Sequence, residues 1–246
     1  MAPTGLPDMT ATILVVLAHP DDETFSMGGT LAKYADLGAT IVLILATRGE
    51  AGSPATEPAR AGAIREAEVR AACAVLGVRR LDFLDYHDGQ LAQIDFQAAV
   101  RRLADRLRQL RPAVVITFGP DGLSGHSDHT TVSAWTTAAF DAAGAADWGA
   151  RLYYIAPSEA TQQGCGVAPT AEQAGGPVAF IDVGPWLTTK VRAAQRHVSQ
   201  DPPFKGDPEQ AAARLACHEV FRLARPVAAS AGERVLDDLL ADEAAS

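Results

Sequence analysis

The sequence predicts an α/β protein: a single domain over residues 1–246, ordered from about 10 to 241, with a mostly parallel, doubly wound (Rossmann-like) sheet and helices on both faces. Three observations carry this. Short β-branched runs alternate with longer helical patterns along the chain. The runs are nearly continuous in Val, Ile and Leu, as strands buried on both faces are. Charged and polar residues gather directly behind four of the runs, at the strand ends where an open α/β sheet binds its ligands.

Taken in order, the first strand is Thr12–Ala18. The stretch "HPDDE" separates it from a helix over Met27–Leu37, which Gly38 closes. A strand over Thr40–Ala46 leads to a helix over Arg60–Leu76, closed by Gly77. The strand Arg80–Leu84 precedes a helix over Phe96–Leu110, with Asp95 as N-cap and Pro112 as its stop. The strand Ala113–Phe118 precedes a helix over His129–Ala143. Strands over Leu152–Ala156 and Val178–Asp182 follow, then helices over Pro185–His197, Pro208–Leu223 and Glu233–Ala241. Two stretches break the rhythm: 157–177, rich in Gly, Pro, Thr and Gln, and the Pro-rich 199–208. Such loops are either lids and binding loops or surface excursions, and both are expected on the substrate side. Residues 1–9 and 242–246 read as frayed ends.

Composition excludes several classes. With 48% apolar residues the chain can bury a substantial core. No apolar run is long enough to span a membrane, and no basic residue precedes the first apolar run as in a signal peptide. A cytoplasmic chain is expected. A net charge of −9 with no basic stripe argues against nucleic acid as partner. Cys73, Cys165 and Cys217 form neither a CxxC pair nor a disulfide framework; Cys73 and Cys217 read as core packing. A homo-oligomer is left open.

The chemistry collects behind the strands. His19, Asp21, Asp22 and Glu23 follow the first; Thr47, Arg48, Gly49 and Glu50 the second; Asp85, His87 and Asp88 the third; Asp121, His126, Asp128 and His129 the fourth. A phosphate-cradling loop needs glycines and free N–H groups, whereas three carboxylates here would repel phosphate. Helix-dipole stabilisation explains one or two acids in a first turn, but neither His19 before them nor a second His/Asp cluster elsewhere. Catalytic zinc takes three ligands from His, Asp and Glu and keeps one position open. His19 and Asp22 can face one point across a tight turn, and a histidine at either 126 or 129 supplies the third ligand. Asp128, between those two histidines, could orient a ring N–H. His87, His197 and His218 read as ordinary core or surface histidines.

"AHPDDE" at 18–23, followed about a hundred residues later by "GHSDH" at 125–129, resembles the LmbE-like, or PIG-L, family of zinc-dependent N-deacetylases. "TRGEAG" at 47–52, "REAEVRAACAVLGV" at 65–78, "FLDYHDG" at 83–89 and "AQRHVSQ" at 194–200 fall in the family's order. The resemblance implies a hydrolase that removes an acetyl group from an N-acetylglucosamine unit of a small amino-sugar conjugate. It implies His19, Asp22 and His129 as ligands of Zn2+, with Fe2+ or another divalent ion as substitutes. Asp21 would be the general base, His126 the oxyanion donor with Asp128 holding its ring, and Arg65 and Asp88 the contacts to sugar hydroxyls. A protonated His126 beside the Asp128 carboxylate is expected. The family's oxyanion tyrosine has no evident counterpart, and Ser124 is too short for that task. An amidase acting on a non-sugar or thiol-conjugate amide, and a sugar-binding module without turnover, are the alternatives. A spare carboxylate and an oxyanion donor speak against the latter.

Overall fold

The computed structural model describes residues 11–52, 56–156, 178–226, 235–236 and 238–240. The loop 157–177, the chain ends and Cys165 lie outside them. The six predicted strands appear as β1 (Thr12–Leu17), β2 (Thr40–Leu45), β3 (Arg80–Phe83), β4 (Val114–Phe118), β5 (Arg151–Ile155) and β6 (Val178–Asp182). Two more follow, β7 (His218–Arg225) and β8 (Val235–Leu236). The helices are α1 (Asp22–Asp36), α2 (Pro58–Leu76), α3 (Phe96–Leu110), the single turn α4 (Gly122–Gly125), α5 (Ser127–Ala143), α6 (Leu187–Ala194) and α7 (Pro208–Ala212).

The eight strands form one sheet in the order β3-β2-β1-β4-β5-β7-β6-β8. Neighbours from β3 to β5 run parallel. β7 runs antiparallel to both β5 and β6, and β8 runs parallel to β6. Strands β1, β2 and β4 are buried along nearly their whole length, so their Val/Ile/Leu runs meet side chains on both faces. Helices α1, α2 and α6 pack together, and α3 packs on α5. The chain winds outward from β1 through β2 to β3, then returns to β4 on the other side of β1. The connections therefore diverge between β1 and β4, which opens a crevice at the carboxyl ends of those two strands.

Four expectations need correction. Helix α1 starts at Asp22, not Met27: the acidic stretch is its first turn, and the helix is kinked at Met27 (φ −149°, ψ 20°). The predicted helix Pro208–Leu223 ends at Ala212, and "HEVFRLAR" is β7. Its apolar residues Val220, Phe221, Leu223 and Ala224 fit a helical period, but pairing on both edges, with β5 and β6, satisfies its backbone as a strand. Of the expected helix Glu233–Ala241, the described part is the short strand β8 and a turn at Leu239–Leu240. Cys217 is disulfide-bonded, while Cys73 is free and buried as expected.

Candidate active site

Strand β1 delivers His19 to the crevice, and the chain turns at once into α1. The Asp22 carboxylate accepts the His19 backbone N–H at 2.8 Å, which pins the turn. Asp21, at the N-cap, sits at φ 93°, ψ −28° and makes no capping bond with its side chain. A non-glycine residue in the left-handed region costs roughly 1–2 kcal/mol, so other contacts must hold it. Arg65 of α2 donates to Pro20 O (2.5 Å), Asp21 Oδ2 (3.1 Å) and Gly49 O (2.8 Å). The Asp21 N–H donates to Glu23 Oε2 at 3.0 Å.

Strand β4 delivers the second half. The His129 ring stacks on Phe118, centroids 4.0 Å apart and 4° from parallel. Its Nδ1–H donates to Gly122 O at 3.0 Å. Gly122 is required here: φ is +68°, and a Cβ would lie 2.9 Å from Thr130 Cγ2 and 3.1 Å from His129 Cβ.

The two halves meet. His19 Nδ1, the Asp22 carboxylate and His129 Nε2 form a triangle: His19 Nδ1 lies 3.3 Å from His129 Nε2 and 3.6 Å from Asp22 Oδ2, and the other Asp22 oxygen, Oδ1, lies 3.4 Å from His129 Nε2. Ligands about 2.0–2.1 Å from a tetrahedral zinc lie roughly 3.3–3.4 Å apart. The tautomers agree. His129 uses its Nδ1–H on Gly122 O, and His19 uses its Nε2–H on Asp88 Oδ1 (2.9 Å) and Asp128 Oδ2 (3.3 Å), so both lone pairs face the triangle. The charge balance also favours a positive charge at this point, either a proton on His19 Nδ1 or a metal ion in its place. Burial disfavours a charged His19, but Asp128, Asp88 and Asp22 outweigh it and raise the pKa to about 10. Burial pushes the Asp22 carboxyl up to about 7, against the pull of His19. Burial and the neighbouring imidazoles bring His129 down to about 4, which leaves it neutral, the ligand form. The donor set, its spacing and its tautomers fit a divalent metal ion. Burial raises Asp21, beside the triangle, to about 6, with Arg65 opposing.

The remaining predicted residues gather here too, with altered contacts. Asp128 is fully buried, and its carboxylate does not hold His126. It takes His19 and the backbone N–H groups of Gly89 (2.8 Å) and Leu91 (3.3 Å). Asp128 lies in the first turn of α5 and points inward, so it ties the β3–α3 loop to the back of His19. Only its backbone N–H meets His126, donating to Nδ1 at 3.2 Å. With Nδ1 accepting that N–H, Nε2 is the ring nitrogen of His126 left to donate. Its exposed ring lies 5.0 Å from that of His19 and 4.9 Å from that of His129. Asp88 and Arg65 face protein rather than solvent. Asp88 Oδ2 accepts the Ala51 N–H, and the Arg65 side chain is 5% exposed. All four tyrosines lie elsewhere: Tyr34 binds Asp238, Tyr154 binds Thr137, Tyr86 packs on Trp135 and Tyr153 is buried.

Sequence reasoning missed two supports. His197, read as an ordinary histidine, donates to Glu23 from a fully buried position. Glu219 reaches from β7 into the α1 kink, accepting from Gly29 N (3.1 Å), Thr30 N (2.7 Å) and Lys190 Nζ (2.7 Å). A lone histidine 174 positions from its partner leaves no local signal. The hints were the third acid of the "DDE" run and the block "AQRHVSQ", which holds His197. The Pro-rich segment 199–208 packs beside the same turn: Phe204 meets Phe25, and Ser199 donates to Glu68.

Residues 14–140 match the PIG-L family, described as GlcNAc-PI de-N-acetylase. A 1D-myo-inositol 2-acetamido-2-deoxy-alpha-D-glucopyranoside deacetylase of Acidothermus cellulolyticus is 32% identical, covering 95% of each chain. One of the same description from Rhodococcus erythropolis is 35% identical over 67% of this chain and 68% of its own. The structure of N,N'-diacetylchitobiose deacetylase from Pyrococcus horikoshii superimposes with a TM-score of 0.66 at 20% identity, over 89% of this chain and 87% of that one, a likeness of fold.

Proposed function

The chain belongs to the PIG-L family, and from that premise we propose that it is a metal-dependent hydrolase removing the N-acetyl group from an N-acetylglucosamine-type conjugate. The observation that carries this is the closed triangle of His19, Asp22 and His129 with the uncommitted oxygen of Asp21 beside it.

His19 Nδ1, Asp22 and His129 Nε2 would hold the ion, zinc in the first instance with ferrous iron as the alternative. A divalent ion so held supplies Lewis acidity toward the amide carbonyl and acidifies water at neutral pH. Arg65 engages Oδ2 of Asp21, which leaves Oδ1 to take the proton of the attacking water. The His126 Nε2–H is the donor for the oxyanion, a task worth roughly 3 kcal/mol in other hydrolases. The proton held on Asp21 then passes to the departing amine, so that water is consumed and acetate and a free amine leave. Asp128 and Asp88 act behind His19, fixing which ring nitrogen faces the ion. Arg65 acts behind Asp21. Among the described residues no helix is long and apolar enough to cross a membrane.

The test pairs metal analysis of the purified protein with a panel of N-acetylated glucosaminides that differ only in the aglycone, read by free-amine detection. One equivalent of zinc or iron and amine release from at least one glucosaminide are expected. Metal binding with release only from non-sugar amides would move the reading to an amidase. Metal binding with no release from any amide would leave a binding module.

A further inference from the structure

Glu23 and His197 are fully buried and take no part in the reaction described above, on which this inference rests. Glu23 Oε2 accepts the N–H of Asp21, the residue held at φ 93°. Glu23 Oε1 is gripped in turn by Thr24 Oγ1 (2.5 Å) and by His197 Nε2 (2.9 Å). The Nδ1 of His197 has no partner among the described residues and is itself buried. Buried polar atoms are almost always paired, so this ring leaves one nitrogen unsatisfied and commits the other to Glu23.

The left-handed turn explains the need. Asp21 lacks a side-chain cap bond, so helix α1 does not hold its conformation through that route. Arg65 restrains the carboxylate and the preceding carbonyl; Glu23 restrains the peptide N–H. Without the His197 donor the buried Glu23 carboxylate keeps only Thr24 and Asp21, too few bonds for a desolvated charge. It would rotate toward water and release the Asp21 peptide.

We propose that His197 is a positioning residue for the general base: through Glu23 it locks the backbone of Asp21, and so the aim of its carboxylate. The segment that follows α6 thereby joins the catalytic turn, although it lies about 175 residues downstream.

The test compares His197→Gln with His197→Asn. A glutamine amide reaches the place of Nε2 and can still donate to Glu23, whereas an asparagine amide stops at the place of Nδ1. With the best glucosaminide of the panel, H197Q is expected to keep kcat within about threefold of wild type. H197N should lose about tenfold to a hundredfold in kcat, the scale of a sub-ångström to ångström misplacement. KM and metal content should change in neither. Equal kcat in the two variants, or metal lost in step with kcat, would overturn the proposal. If H197N does not fold, amide exchange of Asp21 in the wild type decides: a protected amide is expected, and exchange at the rate of an open loop overturns it. A wild type that binds metal but deacetylates nothing ends the proposed function instead, and leaves that exchange measurement to judge this one.

Discussion

From β3 to β5 every neighbour runs parallel, and this side of the molecule carries all of the candidate centre, from His19 to His129. From β5 to β8 the strands change direction, and the described residues there contribute no group to the metal triangle. What they contribute is support: Glu219 in the kink of α1, Lys190 beside it, and His197 on Glu23. The parallel side holds its chemistry in loops directly behind strands. The other side acts at a distance, through buried polar contacts to α1. If that division is right, substitutions on the two sides should fail differently, the first in chemistry and the second in stability or aim.

The largest effect is expected from His129→Ala. It removes one of the three proposed ligands and the ring packed on Phe118. Metal analysis should find little bound ion, and turnover should vanish with it. Asp21→Asn sharpens the contrast. The amide cannot take the proton, so kcat should fall by about 10²–10⁴-fold, the usual worth of a general base. Metal content should stay at the wild-type value. If D21N also loses its ion, Asp21 is a ligand and the triangle is drawn around the wrong carboxylate.

The same contrast sets how much was legible in the sequence. On the parallel side, strand ends and the polar residues of the candidate site could be read together, because a buried parallel strand is a continuous apolar run and its polar loop follows at once. Every strand from β1 to β5 lies within a residue or so of its expected span. The error was the start of α1, where Asp22 and Glu23 serve both as helix first turn and as site. On the other side the local pattern misled. "HEVFRLAR" has the spacing of an amphipathic helix, and only its neighbours β5 and β6 make it a strand. The aim of Asp128 was also out of reach. Adjacency to His126 pointed to that ring, while the fold turned the carboxylate inward to His19, 109 residues away.

Next in size is Glu219→Ala. It strands the Lys190 ammonium and the N–H groups of Gly29 and Thr30 in the interior. Breaking one partner of a buried ion pair costs about 3–5 kcal/mol, to be read from denaturant midpoints at constant m. A loss under about 1 kcal/mol, the size of an exposed pair, would show that water reaches Lys190 and that the kink is held by other means.

The smallest effect comes from an ion pair of the same kind left near solvent. Arg48 Nε lies 2.6 Å from Glu66 Oε2, and Arg70 reaches the other oxygen. Arg48 first, then Arg70, hold the Glu66 carboxyl below the usual carboxylate range, against some desolvation. A carboxyl lowered in the folded state stabilises above its unfolded pKa, and that gain is lost as pH falls through the lowered value. Wild type should therefore exceed Glu66→Gln by only about 0.5–1 kcal/mol at pH 7, because the side chains are a quarter to a third exposed. The difference should shrink below about pH 4, where the unfolded carboxyl begins to take its proton. High salt should shrink it at pH 7 as well, yet leave the Glu219→Ala penalty almost untouched, since screening reaches exposed charges and not buried ones. A Glu66 pair that resisted both acid and salt would place it with the buried supports, and the contrast between the two sides would then be one of position along the chain, not of burial.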